Sequence, residues 1–290
     1  MDYLILVIGA LMCSVQFLFI KLYQKTAGES LKGSMIFSFF GSVFSAIIVL
    51  VCGKFSIEFS VFSLLLAFFV SVVGISVTAV GIKTMQMGKL SVYTLFMMLG
   101  GMILPFILGV TFLGERPSVC CIIACIIVAA ALCIPALEKT DGKKSPPIFF
   151  VLCAGLFFLN GSYSCLNKLH QINKNAVDTF SFLFLVFMWM MLITGLVIIF
   201  SRFDKKTPPV KVTGKGVLAA LGYAAFSSAG SICLVGSAKH VNASLLFPVV
   251  TGGTIVFSAL CGWIFYKEKP NRYAVVEIVM AVAATILFMF

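Results

Sequence analysis

Apolar residues in this chain gather into long unbroken runs, and polar residues are confined to the short gaps between them. Ten runs are long enough to read as helices crossing a bilayer, which takes about 20 mostly apolar residues. They are Tyr3–Leu22, Ser34–Val51, Val61–Ile82, Val92–Leu113, Val119–Leu137, Ile148–Leu166, Thr179–Phe200, Gly216–Ser237, Ser244–Tyr266 and Tyr273–Phe290. The runs are apolar on every side, so strands of a β-barrel, which alternate apolar and polar positions, are excluded. No gap has room for a soluble domain. The first run carries Asp2 where a signal peptide has a basic segment, and it is longer than the apolar core of such a peptide, so it reads as a retained helix. The expected architecture is all-α, a polytopic membrane protein of ten transmembrane helices.

Composition agrees: 61% of the 290 residues are hydrophobic and only 11% are charged, too few to cover a water-soluble globule. The net charge of +11 first raises the question of an anionic partner such as nucleic acid. Its distribution answers differently. The second, fourth, sixth and eighth gaps hold only Lys54, Arg116, Lys168, Lys174 and Lys239, five of the 21 basic residues. The other 16 lie at alternate gaps, and the positive-inside rule places those gaps in the cytoplasm and both chain ends outside. The partner implied is the lipid bilayer of the cell membrane, with no nucleic acid. The ten cysteines form no C-x-x-C pair and read as small buried hydrophobes; with two histidines they build no zinc site, so neither metal nor cofactor is expected.

Two pieces of sequence recur. Lys21-Leu22-Tyr23-Gln24 ends the first run, and Lys168-Leu169-His170-Gln171 ends the sixth. Glu115-Arg116-Pro117 follows the fourth run, and Glu268-Lys269-Pro270 follows the ninth, with Gly100, Gly109 and Ser91 matched by Gly253, Gly262 and Ser244. The reading is a duplicated five-helix unit: residues 1–137 as the first repeat, 138–147 as linker and 148–290 as the second. Five is odd, so the second unit enters the membrane from the opposite side. Inverted repeats of this kind serve alternating access in secondary transporters, with the substrate near the midplane between the halves.

These residues resemble the drug/metabolite transporter superfamily, in its ten-helix EamA-type members. The resemblance rests on Gly109-Val-Thr-Phe-Leu-Gly-Glu-Arg-Pro117 and Gly262-Trp-Ile-Phe-Tyr-Lys-Glu-Lys-Pro270, on the turn leading to Pro248, and on the small polar triplet Asn160-Gly161-Ser162. The chain departs from the pattern at Cys13-Ser14-Val15, which stands in place of that triplet, and at Leu95, which stands opposite Pro248. The resemblance implies a secondary transporter of small molecules.

Polar groups inside hydrocarbon turn toward the bundle interior. Asn160, Tyr163, Ser164, Asn167 and Gln171 fall on one helical face of the sixth run, and Tyr223, Ser227 and Ser231 form a stripe on the eighth. Gln16 is the polar member of the corresponding face of the first run. Gln16, Asn160, Tyr163, Asn167, Tyr223 and Ser227 are therefore the candidate cavity residues. The competing reading is hydrogen bonding between helices, worth about 0.6 kcal/mol a bond. Lys21 and Lys168, at matching places, are candidates to hold an anionic group; the bland alternative is that they snorkel to the interface. Glu115, Pro117, Glu268 and Pro270 read as structural, a carboxylate and a proline at the start of the helix that follows. Pro248 reads as a helix-weakening motif.

No H-E-x-x-H, paired aspartate or G-x-S-x-G motif is present, so an enzyme is not expected. The first expectation is export of amino acids or related polar metabolites. The alternatives are a multidrug or lipophilic-cation exporter and, from another class, a receptor or accessory subunit. Monomer and homodimer remain open.

Overall fold

The computed structural model describes residues 2–27, 30–85, 87, 90–134, 146–201, 210, 212–266 and 272–288. Most of the linker expected at 138–147, Glu268, Pro270 and the terminal Phe290 lie outside the described residues. The described chain is all-helical: α1 (Asp2–Ala27), α2 (Leu31–Cys52), α3 (Val61–Met85), α4 (Leu90–Thr111), α5 (Val119–Cys133), α6 (Pro147–Ile172), α7 (Thr179–Ser201), α8 (Gly214–Ser237), α9 (Ala243–Tyr266) and α10 (Arg272–Leu287). Eight of these helices are long and apolar enough to cross a membrane, whereas α5 is a shorter apolar helix of 15 residues.

The helices outrun several apolar runs because capping and turn chemistry, and not hydropathy, end them. α1 continues through Tyr23, Gln24 and Lys25, none of which breaks a helix. α2 starts three residues before its run, where the Ser30 hydroxyl accepts from the Gly33 N–H at 3.0 Å. The Ser118 and Thr213 hydroxyls do the same for α5 and α8.

Packing interlocks the two halves of the chain. α1 lies against α8 and α9, and α6 against α3 and α4; α2 meets α7 and α8, α3 also meets α7, and α5 meets α10. Exchanging each helix of the first five for its counterpart in the second five turns this set of neighbours into itself. Small residues set the close approaches. A Cβ added at Gly161 would come within 2.7 Å of the Gly100 carbonyl oxygen, and one added at Gly230 within 2.7 Å of the Cys13 sulfur. One apolar core joins α4, α5, α9 and α10 through Met102, Val128, Leu246 and Ala284. A second joins α2, α3, α7 and α8 through Val49, Val70, Phe182 and Val235. The outer faces stay apolar, with Leu65, Phe69 and Phe158 exposed, as a lipid-facing surface requires.

The cysteines correct one expectation. All ten are free, but Cys52 and Cys133 are exposed, so burial does not describe the set. At the end of α6 the fully buried His170 bridges the hydroxyl of Ser63 at 2.9 Å and the amide of Gln171 at 3.0 Å, and it stacks on Phe182. This network fastens α3 and the α6–α7 turn to α6.

Candidate functional site

The central cavity lies among α1, α4, α6, α8 and α9 and holds about 330 Å³. That volume falls at the lower end of small-molecule sites, which run from about 300 to 1,000 Å³. It reaches from the middle of the bundle toward the end where α8 turns into α9, since its lining runs along α8 from Tyr223 to Ala238 and along α9 from Leu246 to Thr254.

Gln16, Asn160, Tyr163, Asn167, Tyr223 and Ser227 all border this space. They come from three helices, and each helix turns its polar stripe inward because the opposite side faces apolar neighbours or lipid. Two of the side chains are partly committed. The Asn160 amide donates to the Met97 carbonyl at 2.8 Å, across the α4–α6 contact. The Asn167 amide donates to the Tyr163 carbonyl at 2.7 Å. Gln171 parts from the stripe, because its amide oxygen accepts from Thr179 at 3.2 Å and its amide nitrogen is engaged by His170.

Other lining residues lie outside the candidates named from the sequence. Met97 and Met98 on α4 and Phe247 on α9 form an apolar wall, and Thr251 and Thr254 add hydroxyls. α4 is apolar nearly all round, but Thr251, Thr254 and Ser258 recur at i, i+3 and i+7 on α9, and that stripe was the signal for its inner face. Among the described lining residues none is Lys, Arg, Asp, Glu or His.

The lysines stand apart from this lining. Lys168 is only 4% exposed, and its ammonium donates to the carbonyl oxygens of Ala238 at 2.8 Å and Val241 at 2.6 Å. The snorkelling alternative for it is thus corrected: it turns inward, where the carbonyls of the α8–α9 turn at Ala238 and Val241 accept from it. Lys21 on α1 also lies outside the described cavity lining and is engaged in an interaction of its own.

Glu115 brings a second correction. It does not begin the helix that follows it; Ser118 does that. Its carboxylate reaches across to α9, accepting from the N–H groups of Ala243 and Ser244 at 2.8 Å each. Pro117 lies just ahead of the Ser118 cap. Gly109 explains the spacing of the motif, because a Cβ there would collide with the Glu115 carboxylate. Pro248 fits the same corner. Having no N–H, it leaves the Ser244 carbonyl without its helical donor, and the Cys121 thiol donates to that carbonyl at 3.4 Å.

A sequence model of the EamA-like transporter family matches residues 145–290. The chain belongs to the EamA-like transporter family. A crystal structure described only as that of a protein superposes with a TM-score of 0.75 over 99% of this chain and 95% of that one, at 14% identity. At that identity the likeness concerns the fold alone. No curated protein matches the chain. Family membership makes this a multi-pass membrane protein of the transporter class, and it implies a small-molecule substrate.

Proposed function

We propose that this family member is a secondary transporter that exports amino acids or related polar metabolites by alternating access. The observation that carries the substrate class is the cavity lining. It offers amide and hydroxyl groups on α6 and α8 opposite a wall of Met97, Met98 and Phe247, and no formal charge among the described residues. Such a site suits a solute of zero net charge with a polar head and an apolar body, as a neutral zwitterionic amino acid has. A lipophilic cation would bring a net charge that no described lining residue offsets, whereas the two charges of a zwitterion offset each other. Among the described lining residues, Met97, Met98 and Phe247 are what the multidrug alternative has to build on, beside the aromatic rings of Tyr163 and Tyr223.

Alternating access is supported by the exchange of helix neighbours between residues 1–137 and 148–290, which fits two inverted five-helix halves. The loop charges support an orientation in the cell membrane with both chain ends outside. A receptor or accessory subunit has no comparable need for an uncharged cavity between interlocked halves.

Asn160→Ala and Gln16→Ala test the site. Each is expected to lower the transport rate of a neutral amino acid in proteoliposomes about tenfold, the equivalent of about 1.4 kcal/mol, with little change in thermal stability. Unchanged rates in both variants would remove these residues from the pathway.

A further inference from the structure

The turn from α8 to α9 borders the central cavity, through Ala238 at its start and Leu246 just beyond it. Two side chains from distant parts of the chain hold this turn. Lys168 of α6 takes its carbonyl oxygens, at Ala238 and Val241. Glu115, between α4 and α5, takes the N–H groups that follow, at Ala243 and Ser244. The anion meets the amide end of α9, which it suits, and the cation meets carbonyls of the turn itself, one at the C-cap of α8 and one just ahead of α9. Lys168 and Glu115 also border one small cleft at the end of the bundle, together with Lys239 and Asn242.

Ordinary capping does not account for this arrangement. The caps of α2, α5 and α8 are hydroxyls of the residue at the helix start. The α9 cap instead comes from 128 positions away, and the lysine reaches its carbonyls from 70 and 73 positions away. Each carries a charge into a largely apolar bundle, where packed apolar side chains would hold the turn without that cost. Hydrogen-bonded contacts differ from apolar ones in a way that matters here. Next to the aqueous face, water can take over both sets of bonds, so the clamp can open and re-form.

We propose that Glu115 and Lys168 are the gate of the central cavity at this end. With both bonded, the α8–α9 turn is held against α6 and the α4–α5 segment; when they release, the turn swings away and the cavity opens to that face. The purpose of such a gate rests on the transporter reading above, but its existence is testable without any solute.

The experiment places a reporter thiol in the cavity, Ser231→Cys, and applies an impermeant methanethiosulfonate reagent to either face of membrane vesicles. Peptide mapping reads modification at residue 231 alone, because the native cysteines also react. A Lys239→Cys protein, with its thiol in the exposed part of the turn, identifies which vesicle face is which. Glu115→Gln is expected to raise the labelling rate from the turn side at least tenfold and not to raise it from the other face. Gly109→Ala, which displaces the carboxylate without changing charge, is expected to do the same and serves if the first variant does not reach the membrane. Together the two should open the cavity no further than either one alone. An unchanged rate from the turn side, an equal rise from both faces, or an additive double variant would overturn the gate. No solute is present, so a failed gate leaves the amino-acid reading standing, and a failed transport assay leaves the labelling result standing.

Discussion

Gly100→Ala is expected to remove most of the folded protein from the membrane. Gly100 sits where α4 crosses α6, and a Cβ there would land on the backbone carbonyl of Phe157. A flexible side chain could swing away, but backbone cannot, so the two helices must separate. Separation also breaks the Gly161 contact with the Gly100 carbonyl and the bond from Asn160 to Met97. The cost should reach or exceed the upper end of the about 1–3 kcal/mol typical of overpacking. Gly155 on the same α6 supplies the control. A Cβ there meets nothing within 4 Å, so Gly155→Ala should be neutral or slightly stabilising. Detergent extraction followed by size-exclusion chromatography separates the outcomes: a monodisperse peak for Gly155→Ala and little or none for Gly100→Ala. Equal peaks would mean that the α4–α6 crossing is looser than the geometry requires.

The second large effect is expected at Lys168→Met. Methionine has nearly the length of lysine and fills the same space, so the change isolates the two ammonium bonds to Ala238 and Val241. Hydrogen bonds to a charged group contribute about 1.5–3 kcal/mol each. Burying the ammonium costs something in return, and that cost disappears in the variant. The net loss should be about 3 kcal/mol, seen as a fall of roughly 5–10 °C in the thermal midpoint of the purified protein. A midpoint within about a degree of the parent would show that water satisfies those carbonyls equally well.

Hydropathy alone located the ten helices to within a few residues, because a bilayer leaves the backbone no other economical form. It missed helix ends such as those of α1 and α2, which depend on a cap or on the absence of a breaker. The polar stripe on α6 was legible through its spacing at Asn160, Tyr163, Ser164 and Asn167, and those residues do turn to the cavity. Gln171 continued the stripe in sequence but not in space, because His170 and Thr179 claim its amide. The gate residues show where local reading ends. Lys168 and Glu115 were visible as recurring charges, yet their partners lie across the bundle on the α8–α9 turn, and no local pattern names them. The available clue was Gly109, six residues ahead of Glu115, as Gly262 is of Glu268. In the structure the Glu115 carboxylate lies directly over Gly109. Met97 and Met98 gave no clue, since α4 looks apolar from nearly every direction, whereas Thr251, Thr254 and Ser258 recur at i, i+3 and i+7 on α9 and make a stripe legible in the sequence.

The central claim is that the cavity, whose described lining holds no charged side chain, carries a polar solute of zero net charge across the bilayer. The most direct measurement is efflux from proteoliposomes loaded with a mixture of neutral amino acids, nucleosides, sugars and a lipophilic amine, each followed by mass spectrometry. The account predicts that at least one neutral amino acid leaves at least about tenfold faster than from protein-free liposomes, and that Asn160→Ala abolishes most of the difference. Efflux of the lipophilic amine alone, or of no solute at all, would contradict it.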